Sequence, residues 1–256
     1  MTVLLDPQRF DAVLLDMDGV VTDTAAVHRR AWARLFDPIL REHAARAGSA
    51  FVPFSDEDYL RHVDGRRRED GIRVFLASRG IDVVAGEPGD PPDRFTAVGL
   101  GRRKNAYFLE AVATDGVRPF PGTVRLVHAL ATVGIACGVF TASRNARHVL
   151  TAAGVADLFA TVVDGDDAAR AGLAGKPAPD VLLETARRLG AAPERAVVAE
   201  DALAGVAAGH AGGFALVLGV DRGGPSSGQR AALLSAGADL VVGDLGEVLV
   251  VTGVRR

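Results

Sequence analysis

The stretch AVLLDMDGV, residues 12–20, decides the fold of this chain. Its first four residues are apolar, and two aspartates, Asp16 and Asp18, follow almost directly. A continuous apolar run of this length is typical of a strand that is buried on both faces, as in a parallel sheet. The turn after such a strand places both aspartates at its carboxyl end.

Further short apolar runs recur along the chain and alternate with segments of helical pattern. The runs predicted to be strands cover residues 135–140, 161–163, 196–199, 215–218 and 240–242. The helices predicted between them cover residues 121–133, 145–153, 179–189 and 202–211. This alternation predicts an α/β fold whose core is a Rossmann-like, doubly wound parallel sheet.

The alternation breaks after the first strand, where helical patterns follow one another without strands. The helices predicted there cover residues 24–47, 55–63, 67–78 and 95–112. The simplest account is an all-helical domain inserted into the sheet domain. We therefore expect residues 1–24 and 115–256 to form a Rossmann-like catalytic core and residues 25–114 to form a helical cap.

The composition is that of an ordinary globular protein, with 48% apolar and 24% charged residues. A net charge of −3 argues against a general nucleic-acid surface. The single cysteine, Cys137, lies in an apolar run and is interpreted as a small buried core residue. There is neither an apolar stretch of the ~18 residues that a membrane span needs nor a signal-peptide pattern. We expect a cytoplasmic monomer without nucleic-acid or membrane partners.

Polar side chains follow the predicted strands at the points where the strands end. Thr141 follows the second strand, and Glu200 and Asp201 follow the fourth. Because ligands of an open parallel sheet bind at the carboxyl ends of its strands, we expect these side chains to converge with Asp16 and Asp18. Carboxylates gathered in one crevice repel one another unless a cation lies among them, and an all-oxygen ligand set suits Mg²⁺.

A positive charge is available at Lys176. Of the 29 basic residues only Lys104 and Lys176 are lysines, so a lysine in this chain calls for an explanation. A compact ammonium suits a phosphoryl oxygen, and the hydroxyl of Thr141 is a second donor. This set predicts phosphoryl transfer through an aspartyl-phosphate, with Asp16 as nucleophile and Asp18 as general acid and base.

Each element alone has an ordinary structural explanation, because Asp-x-Asp-Gly usually forms a turn and acids before a helix stabilise its dipole. Only the ordered set at successive strand ends favours catalysis. Competing motifs fail: a calcium loop that starts at Asp16 would need glycine and glutamate where the chain has Val21 and Val27. A P-loop would need a hydroxyl residue where Pro177 follows the lysine.

The ordered motifs resemble the haloacid dehalogenase superfamily, and its phosphatase-like branch in particular, because the dehalogenases lack an acid at the position of Asp18. The resemblance covers nearly the whole chain and implies a Rossmann-like core with a small helical cap. It also implies that Thr141 and Lys176 stabilise the transferring phosphoryl group. The implied ligands of Mg²⁺ are Asp16, the main-chain carbonyl of Asp18, Glu200 and Asp201.

A narrower resemblance, to the β-phosphoglucomutase subgroup, rests on the first motif and on the cap. Thr24 and His28 look like the hinge residues that position the acid–base aspartate. The stretch GRRRED, residues 65–70, resembles the cap loop that grips the non-reacting phosphate, with Arg68 at the matching arginine. Further substrate contacts implied by the resemblance are Gly65, Arg66, Lys104, Ser143, Arg144 and Asn145. Asp64 stands where that subgroup has a lysine, so a related sugar phosphate, such as a disaccharide phosphate, is an alternative substrate.

We therefore expect a Mg²⁺-dependent enzyme that acts on a small-molecule sugar phosphate. A β-phosphoglucomutase, which converts β-glucose 1-phosphate to glucose 6-phosphate, is favoured because a phosphatase of a monophosphate needs no second phosphate site. A sugar-phosphate phosphatase, which shares every core residue, is the alternative. The third hypothesis, a non-catalytic phosphate-binding module, is disfavoured by the complete set of core residues.

Overall fold

The computed structural model describes residues 3–224 and 227–252. The strands in this part of the chain are β1 (Val3–Leu5), β2 (Ala12–Asp16), β3 (Ala136–Phe140), β4 (Thr161–Val163), β5 (Ala196–Glu200), β6 (Leu216–Val220), β7 (Leu240–Val242) and β8 (Val248–Val250). The α-helices are α1 (Ala25–Ala47), α2 (Asp56–Asp58), α3 (Arg68–Ser78), α4 (Ala97–Asp115), α5 (Pro121–Val133), α6 (Ala146–Ala152), α7 (Gly165–Ala171), α8 (Asp180–Leu189), α9 (Leu203–Ala211) and α10 (Gln229–Ser235).

Six strands form one parallel sheet in the order β4-β3-β2-β5-β6-β7, which confirms the predicted α/β class. In chain order, β3 and β4 are added on one side of β2, whereas β5, β6 and β7 are added on the other side. The topological switch point therefore lies between β2 and β5, where open α/β sheets bind their ligands. All residues of these two central strands are buried, which explains their continuous apolar sequences.

Two strands were missed by the sequence prediction, which gave six strands where the described residues form eight. β1 and β8 pair in parallel as a separate two-stranded sheet, with Val3 opposite Val248. Each is three residues long, and Leu4 and Leu249 expose about half of their side chains. So short a run carries too little periodicity to be distinguished from a loop.

Two helices of the sheet unit were also missed. α7 and α10 have seven residues each, and the only apolar side chains that they bury are Ala168 in α7 and Leu233 in α10, so neither shows a helical period of apolar residues. The start of α7 is fixed by Asp164, whose side chain accepts hydrogen bonds from the N–H groups of Asp166 (3.0 Å) and Asp167 (2.9 Å).

Residues Thr24–Gly116 form one compact unit, and the other described residues form a second unit. The helical unit contains α1 to α4, and its core is rich in aromatic side chains. Phe36 is fully buried, with ring centroids 4.4 Å from Phe75 and 5.2 Å from Trp32. Trp32 and Phe36 are four residues apart and therefore lie on one face of α1. An apolar helix face of this kind is buried against neighbouring helices, and this unit is accordingly built from helices.

The boundaries of two helices in this unit differ from the prediction by more than one residue. Ser55 does start a helix, through a capping box with Asp58, but α2 ends there and a π-helical turn (Tyr59–Val63) continues the chain. α4 begins at Ala97 rather than at residue 95, because the Thr96 hydroxyl accepts a hydrogen bond from the N–H of Gly99 (3.1 Å). It ends at Asp115 rather than at residue 112.

The sheet unit is joined to the helical unit by two chain segments that lie side by side. The N–H of Asp23 donates to the carbonyl of Arg118 (2.9 Å), and Thr22 forms an antiparallel bridge with Pro119. The N–H of Phe120 donates to the carbonyl of Val21 (2.9 Å). The chain therefore leaves the sheet unit and returns to it at one place.

No helix of the described residues is both long enough and apolar enough to cross a membrane. Cys137 is buried in β3, as predicted, and burial raises the pKa of its thiol to about 12.

We expect the thiol of Cys137 to be inert in the folded protein. At pH 8 a thiol of that pKa is ionised to a fraction of about 10⁻⁴, so an aromatic disulfide reagent should react about a thousandfold more slowly than with the unfolded chain. Absorbance of the released thiolate, with and without guanidinium chloride, measures both rates. Equal rates would contradict the buried position of Cys137.

Candidate active site

Asp16 is the last residue of β2, and a tight turn follows it. The N–H groups of Val21 and Thr22 both donate to the carbonyl of Met17, over 3.0 and 2.8 Å. The N–H of Gly19 donates back to the carbonyl of Thr22 over 2.8 Å. Asp16 itself is buried, whereas Asp18 within the turn is half-buried. The turn thus leaves one carboxylate inside the protein and the next at its edge.

The ammonium group of Lys176 lies between two buried carboxylates. Its Nζ is 2.5 Å from Asp16 Oδ1 and 2.6 Å from Glu200 Oε2, and all three side chains are buried. Nζ also lies 4.7 Å from the ring centroid of Phe140, the residue opposite Asp16 in the sheet. Lys176 is 160 residues from Asp16 and 24 residues from Glu200 in the sequence, and the fold brings the three charged groups together.

The charges of this cluster shift one another's titration. Burial raises the pKa of Asp16 well above its ordinary value, the negative charge of Glu200 raises it further, and Lys176 opposes both. Burial alone would lower the pKa of Lys176, but the carboxylates of Asp16 and Glu200 outweigh it and raise that pKa. The lysine therefore stays positive, and a further cation beside Asp16 would favour the ionised form of this carboxyl, which burial and Glu200 disfavour.

Glu200 and Asp201 stand at the end of β5, beside Asp16. Ligand atoms of Asp16, Glu200 and Asp201 lie within 4.8 Å of one another. One oxygen of Glu200 accepts a hydrogen bond from the N–H of Ala202 (3.0 Å) and the other binds Lys176, so the side chain is fixed. Asp201 is half-buried. Such a set of carboxylate oxygens fits a hard divalent cation rather than a softer metal.

Two glycines make room for these carboxylates. A Cβ atom at Gly19 would lie 1.9 Å from Asp201 Oδ2, and its φ of +88° is a left-handed conformation that suits glycine. A Cβ atom at Gly205 would lie 1.8 Å from Glu200 Oε2. Gly205 could not be predicted as a site residue, because it is one of 30 glycines and lies within a helical pattern.

In the segment after β3, two successive hydrogen bonds join residues that are two positions apart. The hydroxyl of Thr141 accepts from the N–H of Ser143 (3.1 Å), and the hydroxyl of Ser143 accepts from the N–H of Asn145 (3.2 Å). Thr141 is buried, and its O–H proton remains available to an acceptor. Arg144 is exposed and its Nε lies 3.5 Å from Asp166 Oδ1.

Lys104 and His28 meet inside the helical unit. Lys104 is 2% exposed, and its Nζ lies 2.7 Å from His28 Nδ1. The ring centroids of Trp32 and Phe108 are 4.9 and 4.8 Å from the same Nζ. At these distances the faces of aromatic rings attract an ammonium group and fix its position. The two lysines of the chain are thus both buried, Lys104 in the helical unit and Lys176 in the sheet unit.

Arg68 is the first residue of α3, and its guanidinium donates to Asn105 Oδ1 over 2.9 Å. The loop before it contains Gly65, which has a φ of +69° and follows the π-helical turn. Arg66 is half-buried in that loop. Thr24 is fully buried at the start of α1, and its carbonyl accepts a hydrogen bond from the N–H of His28 (2.9 Å).

Comparison with known proteins reveals relatives along most of the chain. The family model for haloacid dehalogenase-like hydrolases matches residues 10–213. A β-phosphoglucomutase of Mycobacterium bovis is 46% identical over 244 residues, which cover 95% of this chain and 93% of that protein. Hexitol phosphatase A of Escherichia coli is 30% identical over 209 residues, covering 80% of this chain and 81% of that protein.

A solved structure of a β-phosphoglucomutase from Clostridium difficile has a TM-score of 0.72 to this chain at 24% identity. The match covers 93% of this chain and 92% of that one, and at this identity it bears on the fold alone.

Replacing Lys176 with methionine should destabilise the fold strongly, because the buried carboxylates of Asp16 and Glu200 would face each other without the ammonium. Removal of one partner from a buried ion cluster costs about 3–5 kcal/mol in the free energy of unfolding. Urea denaturation at pH 7 with a metal chelator present measures this loss.

The control is Arg187→Met, which breaks an exposed ion pair with Glu184 and should change the free energy of unfolding far less. Without Lys176, the pKa of Asp16 rises further. A raised native-state pKa favours folding at low pH and loses that contribution as the pH rises, so the deficit should be larger at pH 7 than at pH 5. An equal and small effect of both substitutions would contradict the buried cluster.

Proposed function

Because the chain belongs to the haloacid dehalogenase-like hydrolase family, we propose that it transfers the phosphoryl group of a sugar phosphate through an aspartyl-phosphate on Asp16. It is an enzyme, either a phosphomutase or a phosphatase. The activity that we favour is that of a β-phosphoglucomutase. The proposal is carried by the buried cluster in which Asp16 lies 2.5 Å from Lys176 and beside Glu200 and Asp201.

The first chemical step uses Asp16 and Asp18. A carboxylate oxygen of Asp16 attacks phosphorus, and the bond from phosphorus to the sugar oxygen breaks. Asp18 gives its proton to the departing oxygen, since a sugar alkoxide is a poor leaving group. In the return step Asp18 accepts the proton of the hydroxyl that takes the phosphoryl group from Asp16. The half-buried position of Asp18 suits a group that exchanges a proton with the substrate.

The cofactor that we propose is Mg²⁺. When bound, it supplies charge neutralisation for the phosphoryl oxygens and for the carboxylates around it. Its ligands would be Asp16, the main-chain carbonyl of Asp18, Glu200 and Asp201. The all-oxygen donor set of the cluster supports this assignment.

Two donors of the sheet unit would bind the transferring phosphoryl group. The two carboxylate partners of Lys176 hold its ammonium group beside the nucleophile, so the side chain does not have to be reoriented during the reaction. The hydroxyl of Thr141 already accepts from Ser143 and can donate its own proton to a phosphoryl oxygen. We further assign Ser143, Arg144 and Asn145 to the binding of the substrate's second phosphate.

The helical unit, in this proposal, binds the part of the substrate that does not react. Arg68, held through Asn105, would contact the non-reacting phosphate together with Gly65 and Arg66. Thr24, His28 and Lys104 would contact the substrate near the start of α1. A second phosphate site distinguishes a mutase, whose intermediate is a bisphosphate, from a phosphatase of a monophosphate.

The alternative function is that of a sugar-phosphate phosphatase, in which water takes the phosphoryl group from Asp16. The similarity to hexitol phosphatase A over four-fifths of the chain favours it. All core residues would serve this reaction unchanged, so the two functions differ only in the acceptor.

One assay separates the two functions. The protein is incubated with β-glucose 1-phosphate, Mg²⁺ and a trace of the 1,6-bisphosphate, and both glucose 6-phosphate and free phosphate are followed. A mutase forms glucose 6-phosphate with little free phosphate, whereas stoichiometric release of phosphate without isomer would establish the phosphatase. Asp16→Asn is the control and should form neither product, because it lacks the nucleophile. A disaccharide phosphate tested in parallel covers the alternative substrate, and no turnover of any phosphate ester would overturn both functions.

Arg68→Ala should raise the KM for the bisphosphate about tenfold or more, because a charge-assisted hydrogen bond to phosphate is lost. Hydrolysis of a simple aryl phosphate, which has no second phosphate, should change little. Arg73→Ala is the matched control, since Arg73 lies on the same helix and pairs with Asp70 at the surface. Equal effects of Arg68→Ala on both substrates would count against Arg68 as a phosphate ligand.

A further inference from the structure

Arg222 lies two residues after β6 and binds the turn that carries Asp18. Its Nε donates to the carbonyl of Gly19 over 2.6 Å. Its Nη1 donates to Asp244 Oδ2 over 3.1 Å and to the carbonyl of Gly243 over 3.2 Å. The side chain is 20% exposed. An arginine with partners on two separate segments is held in one conformation, so it can act as a fixed anchor.

An aromatic ring completes the anchor. The guanidinium carbon of Arg222 lies 3.6 Å from the ring centroid of Phe120, the residue that precedes α5. This stacking contact leaves Nε directed at Gly19. A lysine could keep the charge near the ring but could not reproduce the planar set of donors.

The anchored turn needs such support. Gly19 has the most permissive backbone of any residue type, and its carbonyl belongs to the residue next to Asp18. The hydrogen bond from Arg222 fixes that carbonyl and thereby restricts the rotation of the peptide units around Asp18. A general acid must keep its proton within hydrogen-bond distance of the departing oxygen, so this restriction bears on catalysis.

Gln229, the first residue of α10, anchors the neighbouring strand end. Its Nε2 donates to the carbonyl of Asp201 over 3.0 Å, and its Oε1 accepts from the N–H of Gly223 over 2.6 Å. Asp221, which is buried, accepts at Oδ1 from the N–H groups of Gly223 and Gly224, both over 3.1 Å. The residues after β6 thus hold both segments that carry the proposed acid and the proposed metal ligand.

We propose that Arg222 and Gln229 are positioning residues, Arg222 for the general acid Asp18 and Gln229 for the metal ligand Asp201. This inference rests on the proposed function for the roles of Asp18 and Asp201. The anchoring itself does not depend on that function, and it can be measured without turnover.

The first test measures anchoring alone. In Arg222→Met, the amides of Val21 and Thr22 should exchange hydrogen at least about tenfold faster than in the unchanged protein, because local opening of the turn becomes easier. Mass spectrometry of the peptide that covers residues 16–22 reports this rate. Arg195→Met is the control, since Arg195 binds Asp11 before the start of β2. Unchanged exchange in Arg222→Met would overturn the proposal, whatever the protein's activity.

The second test uses the leaving group. In Arg222→Met, kcat for a sugar phosphate should fall about ten- to a hundredfold, a part of what a general acid contributes. With p-nitrophenyl phosphate, the rate of the first step, measured as the pre-steady-state burst of nitrophenolate, should fall less than about threefold, because nitrophenolate leaves without a proton. Arg195→Met should affect neither substrate. Equal losses on both substrates would overturn the positioning role and leave Arg222 as a structural residue.

A second variant keeps this test decisive if Arg222→Met does not fold. Arg222→Lys preserves the charge beside Phe120 and should show the same preference for the aryl phosphate, to a smaller extent. An unchanged protein that turns over neither phosphate would refute the proposed function, while the exchange measurement would still decide on the anchor.

The third test concerns Gln229. Gln229→Ala should weaken Mg²⁺ binding about tenfold, the order of effect seen when a partner behind a metal ligand is removed. Titration calorimetry with Mg²⁺ measures the affinity without substrate. Arg230→Ala, which removes the neighbouring bond to the carbonyl of Val241, is the control and should leave the affinity unchanged. Equal affinities in Gln229→Ala and the unchanged protein would overturn the role of Gln229.

Discussion

The structure of the sheet unit depends on one constraint, the burial of a lysine between two carboxylates. Three charged groups inside a protein are tolerated only when each has close partners, and the sheet supplies them. β2 and β5 are adjacent and in register, with Leu15 opposite Ala199, so the following residues Asp16 and Glu200 end side by side. Lys176 reaches both from a loop before α8. The chemistry that we propose uses this same arrangement, because the partners that make the burial tolerable also orient the nucleophile.

The constraint extends to residues with no charge. The carboxylate of Asp201 occupies the space beside Gly19, and that of Glu200 occupies the space beside Gly205, so neither position can accept a side chain without displacing an acid. The turn after β2 is held by hydrogen bonds at several backbone atoms and by the burial of Met17, Val20 and Val21. The acidic cluster thus requires glycine at positions 19 and 205 and hydrogen bonds that hold the surrounding backbone in place.

Much of this arrangement could be predicted, because strand ends in an open parallel sheet are read directly from apolar runs. Asp16, Glu200 and Asp201 were identified in this way, and the α/β class followed from the same runs, whereas Lys176 was identified because it is one of only two lysines in the chain. Other features gave no signal. β1 and β8 are too short for a period, and Gly205 is one of many glycines. Arg222 and Gln229 act through main-chain carbonyls that only the fold brings within reach, and arginine is too common in this chain to attract notice. The roles of the site residues in both units stay a prediction.

The paired segments at Asp23 and Arg118 have a consequence for how such a protein can evolve. Their hydrogen bonds close the sheet unit at the place where the helical unit is inserted, so the ends of the insertion are already together. The entropic cost of closing a chain segment between two fixed points rises only slowly with the length of the segment. An insertion of another size can therefore replace this one without shifting the strand register. In the proposed function the insertion binds the part of the substrate that does not react, so selection for a new substrate can act on the insertion while the proposed chemistry of the sheet stays unchanged.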